Sequence, residues 1–187
     1  FTQQLAKDSQ DYCLAMVEPL FQAVMNLRDC AGDPVELNGE VMNQADWLKK
    51  AASTTNKQAS ANFYFVRLYL AVMFGKYEVA AEMALNRQKG QRMRNLTIVT
   101  ETFYSSLTAI AIARSKGHNR LSHSVKKSIS KLENWSKYSE WNFLHKLELL
   151  KAEQAFFNGF IGEAAKAYDR AIYFATANGF IHEQALA

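Results

Sequence analysis

The run AEQAFFNGFIGEAAKAYDRAIYFATANG, from Ala152 to Gly179, decides the fold. Ala152, Phe156 and Gly159 are followed by Ala164, Tyr168 and Ala171, so small residues stand four and seven positions apart from larger ones on two successive segments. A Gly-containing break divides the segments, and Asn178-Gly179 closes the second. At helical periodicity this is how a hairpin is built when two backbones must approach closely and then stack on the next hairpin. A weaker echo stands upstream at Leu68, Ala71 and Gly75, then Ala80, Ala84 and Asn86. The expectation is an all-α chain of antiparallel helical hairpins stacked as a divergent solenoid.

The rest of the chain agrees with helices. Its 187 residues are 49% hydrophobic and 12% aromatic, enough for a buried core, and only Pro19 and Pro34 interrupt local runs. The first helix runs from about Thr2 to Asn26 or Arg28, with Pro19 either kinking it or opening a second helix. A turn-rich loop through Cys30 to Pro34 follows, then a helix over 41–54 with Val41, Ala45, Leu48 and Ala52 on one face. Residues 59–74 are apolar on more than one side, as an inner helix requires, and Gly75-Lys76 breaks them from a partner over 77–88. A long helix over 95–114 ends at Gly117. The next, over 121–138, carries the cleanest stripe of the chain, Leu121, Val125, Ile129, Leu132 and Trp135, with Ser122 as its N-cap. Helices over 142–158 and 161–177 make the hairpin quoted above. The expected organisation is one helical-repeat domain over 1–187, with hairpins at 1–56, 59–89, 95–138 and 142–179 and the start of a further helix at 180–187.

The net charge of +4 is unevenly spread. Residues 1–75 hold 6 Lys/Arg against 8 Asp/Glu, residues 76–137 hold 12 against 4, and residues 138–187 hold 4 against 6. The basic middle, 76–137, includes Arg87, Lys89, Arg92 and Arg94 beside an expected inter-helix connection at Gly90, and Lys126, Lys127 and Lys131 off the apolar stripe of their helix. It reads first as a solvated face and second as a surface for nucleic acid or another acidic partner. No zinc-finger spacing or aromatic-basic strand supports nucleic acid. No apolar run reaches the length that spans a bilayer.

Chemistry-bearing motifs are absent. Cys13 and Cys30 form no CxxC pair and read as buried small hydrophobes of a reducing, cytoplasmic compartment, a disulfide being the alternative. His118, His123, His145 and His182 lack metal-ligand spacing, so neither a metal nor a cofactor is expected. Gly75-Lys76 lacks the earlier glycine and the strand of a phosphate loop and reads as a helix break. Glu148 and Glu153 read as solvated charge rather than paired carboxylates, and His145 with Glu148 as a surface pair. No catalytic residue is assigned, and the segment is not expected to be an enzyme. Phe63-Tyr64-Phe65, Phe103-Tyr104 and Trp141-Phe143 fall early in first helices, where they either fill seams between hairpins or anchor a peptide or small effector in an aromatic-lined groove. Phe156-Phe157 reads as core on at least one ring.

The hairpins at 63–89 and 142–179 resemble tetratricopeptide repeats. If Ala45, Ala80, Val125 and Ala164 mark equivalent points, the repeats are 35, 45 and 39 residues long, against a 34-residue period for that family. The run Glu163 to Ile172, continued by Ala175 to Ala187, resembles the end of the helical region in very large signalling proteins of the multi-sensor hybrid histidine kinase type. Phe74 to Ala80, Phe103 to Leu107 and Leu132 to Trp135 fit the same region in the same order. In that family a kinase-like domain and an AAA-type ATPase precede the helical region, and a GAF sensor and a histidine kinase typically follow it. The resemblance covers roughly residues 60–187. It implies a non-catalytic scaffold whose partners are protein domains, chiefly of the same polypeptide, and carries over no catalytic residue. Both chain ends read as cuts, so the segment 180–187 is expected to be mobile, docked on another copy, or held only by Phe180 and Ile181.

Overall fold

Asn158-Gly159-Phe160-Ile161-Gly162-Glu163 and Asn178-Gly179-Phe180-Ile181-His182-Glu183 are two copies of one turn, N-G-F-I-x-E, set twenty residues apart. Each copy ends one helix and begins the next. In the computed structural model, Gly159 and Gly179 take φ of 82° and 75°, where a side chain would strain the backbone. The amide of Phe160 then donates to the carbonyl of Ala155 at 2.9 Å, and that of Phe180 to Ala175 at 2.9 Å. Those bonds reach back five residues and consume carbonyls that the helix end would leave bare. Phe160 and Phe180 share nearly the same backbone, φ/ψ of −85°/68° and −87°/67°, and each serves as the N-cap of the helix that follows. The chain therefore reverses within three residues both times.

The structure describes residues 2–28, 32–53, 57–89 and 97–187. Among them are nine helices and no strand: α1 Thr2–Arg28, α2 Gln44–Ser53, α3 Lys57–Met73, α4 Tyr77–Lys89, α5 Thr97–Ser115, α6 His123–Ser136, α7 Glu140–Phe157, α8 Ile161–Ala177 and α9 Ile181–Leu186. They form two compact units, residues 1–95 and 96–187.

In the first unit α3 is the centre, packed by α1, α2 and α4. It buries Ala59, Phe63, Val66, Leu68, Leu70 and Val72, residues that point to more than one side, as expected of an inner helix. α1 is one continuous helix with Pro19 inside it, and it lies on α3, so the segment 1–56 does not fold back on itself as a simple hairpin. The side of α1 that faces inward sets two amides, Gln22 and Asn26, beside Pro19 and Ala23. Gln22 and Asn26 are 2% and 6% exposed, and they hold the loop between α1 and α2. The Gln22 Oε1 accepts from the amides of Val41 at 3.0 Å and Met42 at 3.3 Å, while its Nε2 donates to Asn26 Oδ1 at 2.9 Å. Asn26 Nδ2 donates to the carbonyls of Pro34 and Glu36 at 3.1 and 2.6 Å. A Cβ at Gly39 would collide with the Gln22 amide, so the loop needs glycine there. Pinned this way, the loop buries Val35, Leu37 and Met42.

α2 corrects one expectation. Asn43 Oδ1 accepts from the amides of Ala45 and Asp46, capping the helix, so α2 starts at Gln44 and Val41 belongs to the loop. Its buried residue is Trp47, stacked on Phe63 at 4.9 Å, while Ala45 and Ala52 face solvent. The large ring, rather than the small alanines, sets which face turns inward.

In the second unit α5 packs on α6 and α7, α6 on α7, α7 on α8, and α8 on α9. The stripe on α6 is buried at Leu121, Val125, Ile129 and Leu132, Trp135 lies half-buried against Phe143, and Ser122 accepts from the Val125 amide. α8 turns Ala164, Ala167, Ala171 and Ala175 inward, all at most 3% exposed, so its backbone comes close to α7.

Two neighbouring glycines of the first N-G-F-I-x-E turn carry opposite expectations. Gly159→Ala must hold a side chain at positive φ and should cost about 1 kcal/mol. Gly162→Ala, in the first turn of α8 with nothing near its absent Cβ, should instead stabilise by a few tenths up to about 1 kcal/mol. Urea unfolding midpoints of the two variants should move in opposite directions.

Candidate functional site

α7 has neighbours on several sides, and its charged residues follow from that. His145, Lys146, Leu147, Glu148, Leu149 and Leu150 are six consecutive buried residues, which one face of a helix cannot supply. A buried charge must find a partner on whatever helix covers it. Three do.

Glu148 is 7% exposed and pairs with Arg170 of α8 at 2.5 Å. Glu153, one turn on, accepts from Arg114 of α5 at 2.9 Å and from the Tyr168 hydroxyl at 2.6 Å. Burial and that carboxylate push the phenol's pKa well above its ordinary value. The expectation of solvated charge at Glu148 and Glu153 is thus corrected, because their partners lie on helices far along the chain. The expected His145–Glu148 surface pair does not form either.

His145 and Lys146 instead meet Glu183 of α9, and this is the polar centre of the unit. His145 is 2%, Lys146 6% and Glu183 3% exposed. His145 Nε2 lies 2.9 Å from Glu183 Oε2, and Lys146 Nζ 2.9 Å from Oε1. The Tyr104 hydroxyl of α5 approaches the same Oε1 at 3.5 Å. Phe180 closes the cluster, stacked on the His145 ring at 4.2 Å, with the Lys146 ammonium 4.5 Å from its centroid. Lys146 Nζ is also 2.8 Å from His145 Nε2. With a carboxylate on one side, that nitrogen is assigned the ring proton and donates to Glu183. Nδ1 is then the bare acceptor, buried without a partner.

This geometry sets the direction in which each group's pKa moves. Burial holds the His145 pKa below its ordinary value of 6.5; the Glu183 hydrogen bond raises it and the Lys146 charge lowers it further. A second ring proton would sit on Nδ1 with nothing to receive it. Burial likewise lowers Lys146, against the pull of Glu183. Burial alone would raise the Glu183 carboxyl, but hydrogen bonds from His145 and Lys146 and the Lys146 charge hold it below the ordinary value. A His–Lys–Glu constellation could serve as an acid–base set; none of the three lines one groove of this unit. That groove, of ≈ 390 Å³, lies at the α7–α8 turn between Lys151, Gln154, Asn158, Phe160, Glu163 and Arg170. Its cations are already engaged, Lys151 with Glu133 at 3.1 Å and Arg170 with Glu148. The polar centre ties α9 to α5 and α7.

The other residues singled out from the sequence fall in several environments. Phe63, Phe103 and Tyr104 are buried in the cores of their units, Tyr64 and Phe65 are half-buried, and Trp141 is 61% exposed beside a half-buried Phe143. Phe156 is partly exposed under Arg114, whose guanidinium lies 5.1 Å from the ring. Gly75 breaks α3 as expected, and Lys76 pairs with Asp33 at 2.7 Å, which holds the Asp33 carboxyl below its ordinary pKa. Lys126, Lys127 and Lys131 are exposed and Arg87 is buried; Lys89, Arg92 and Arg94 fall outside the described side chains. Cys13 is exposed, a correction of its expected burial, since it falls on the side of α1 that no helix covers; Cys30 lies outside the described residues. His118 and His123 are exposed. Among the described residues no group of three or more His, Cys, Asp or Glu side chains gathers as a metal site, and no helix is long and apolar enough to cross a membrane. The segment 180–187 is held chiefly by Glu183 and Phe180, whereas Ile181 is 76% exposed, so the expected Ile181 anchor is corrected. Glu183 escaped sequence reading because its partners lie 38 and 79 residues away. The repeated N-G-F-I-x-E turn marks its position but not its burial, since the first copy leaves Glu163 exposed.

Acid should loosen this centre. As pH falls through the ordinary histidine range, the unfolded chain takes up a proton that buried His145 refuses, so stability is full above about pH 7 and declines below it. A second loss follows below the ordinary glutamate range, where Glu183 protonates in the unfolded chain first. The thermal midpoint by circular dichroism should fall between pH 7.5 and 5.5, and His145→Phe should flatten that part of the curve. An unchanged slope in the variant would assign the pH dependence elsewhere.

No family model, no curated protein and no solved structure matches the chain.

Proposed function

We propose that the chain is a non-catalytic, tetratricopeptide-like helical scaffold in a signal-transduction protein, mediating contacts between an ATPase module and sensor or histidine kinase modules. The observation that carries this reading is Glu183, through which α9 reaches both Tyr104 on α5 and His145 and Lys146 on α7. Alternate helices meeting side by side, with the intervening ones behind, are what a stacked-hairpin array requires. The repeated turn at twenty residues supports the same reading, since it starts successive helices with one geometry. The buried ionisable groups serve helix–helix contacts, which accords with a surface-presenting role. Specificity for the neighbouring modules rests on the resemblance over residues 60–187.

The coding sequence on either side of the chain tests this directly. An AAA-type ATPase upstream and a GAF sensor with a histidine kinase downstream are expected, with the purified chain binding at least one of them by calorimetry. A frame with neither module, or ATP hydrolysis by the chain itself, would overturn it. Trp141→Ala, which removes the exposed ring at the start of α7, should weaken binding by about 10-fold or more if that ring is an anchor.

A further inference from the structure

α1 leaves an apolar face uncovered. Its inward side carries Gln22 and Asn26, fixed in place by their bonds to the loop, while Leu14, Val17, Leu20, Phe21, Val24 and Leu27 on the opposite side are each 48–58% exposed. Spacings of three and four residues gather these six on one stripe. Half-exposed side chains of this size present an apolar area on the order of 500 Å², towards the upper end of the largest patch a monomer ordinarily shows. Rotating the helix to hide the stripe would break the hydrogen bonds of Gln22 and Asn26.

We propose that this stripe is a dimer interface, occupied by α1 of a second copy running antiparallel. Placing the twofold axis beside Leu20 and Phe21 sets Leu14 against Leu27 of the second copy and Val17 against Val24, so the stripe is complementary to itself. Arg28, exposed, closes the stripe at one end, and the antiparallel arrangement sets it against Cys13 of the second copy, with the two arginines at opposite ends of the interface. A parallel pairing would set Arg28 against Arg28. Two such stripes bury on the order of 1,000 Å² together, the lower limit for a specific interface, so the dimer should be of about micromolar strength. This interface does not rest on the signalling role proposed above.

Sedimentation equilibrium of the 187-residue chain should show a monomer–dimer equilibrium in about the micromolar range. Val17→Glu/Val24→Glu should weaken it by about 100-fold or more with unchanged helicity, since carboxylates would meet across the axis. In a Cys13→Ser/Cys30→Ser background, Leu14→Cys/Leu27→Cys should form an intermolecular disulfide under mild oxidation. A monomeric wild-type chain at about 100 times that concentration, or a glutamate variant that dimerises as wild type does, would overturn the proposal. A Cys13–Cys13 disulfide in the wild-type dimer would overturn the antiparallel arrangement.

Discussion

A carboxylate that leaves water must be met by donors, and in the second unit that requirement joins three helices. Glu183 sits almost wholly out of solvent, and its two oxygens are met by Lys146, His145 and Tyr104. α9 is only six residues long, too short to persist as a helix by its own hydrogen bonds, so its place depends on this contact and on the Phe180 stack. The alanine face of α8 and the N-G-F-I-x-E turn deliver Glu183 to the right height. The same turn at Asn158 leaves Glu163 exposed. Identical local geometry therefore leads to opposite burial, decided by what each helix packs against.

The first unit obeys the same rule with a different sign. There the buried polar groups are amides rather than charges, and they hold a loop rather than a helix. Gln22 and Asn26 cost little to bury because backbone groups of the loop satisfy them. The consequence falls on the opposite face of α1, where six large apolar side chains are left half in water. Polar satisfaction inside and apolar exposure outside are thus one choice, made by the rotation of a single helix.

Helix content was legible because most segments carry a plain 3.6-residue period and their ends carry glycine or a capping residue, as at Gly75 and Ser122. The facing of α1 and α2 was not. Period alone gives a stripe without saying which side turns inward, and on α1 the loop's hydrogen bonds outweigh the hydrophobic stripe. On α2 one ring, Trp47, outweighs three small or aliphatic residues. The polar centre was illegible for another reason. His145 and Glu148 look like surface charge on any helix that has one covered face, and only the packing of α5, α6 and α8 around α7 removes the water from them. Pairings across 22, 38 and 79 residues leave no local mark.

The most direct measurement is a double-mutant cycle on Glu183 and Lys146, read as the opening free energy of α9 amides by native-state hydrogen exchange. Glu183→Gln alone leaves an ammonium buried without its counter-charge, and Lys146→Met alone leaves a carboxylate lacking its main cation. Each should cost about 3 kcal/mol or more. The double variant removes both charges and should be clearly more stable than the sum of the singles, with a coupling of about 2 kcal/mol. Additive singles, or α9 protection indifferent to either substitution, would contradict the claim that this buried pair holds the last helix in place.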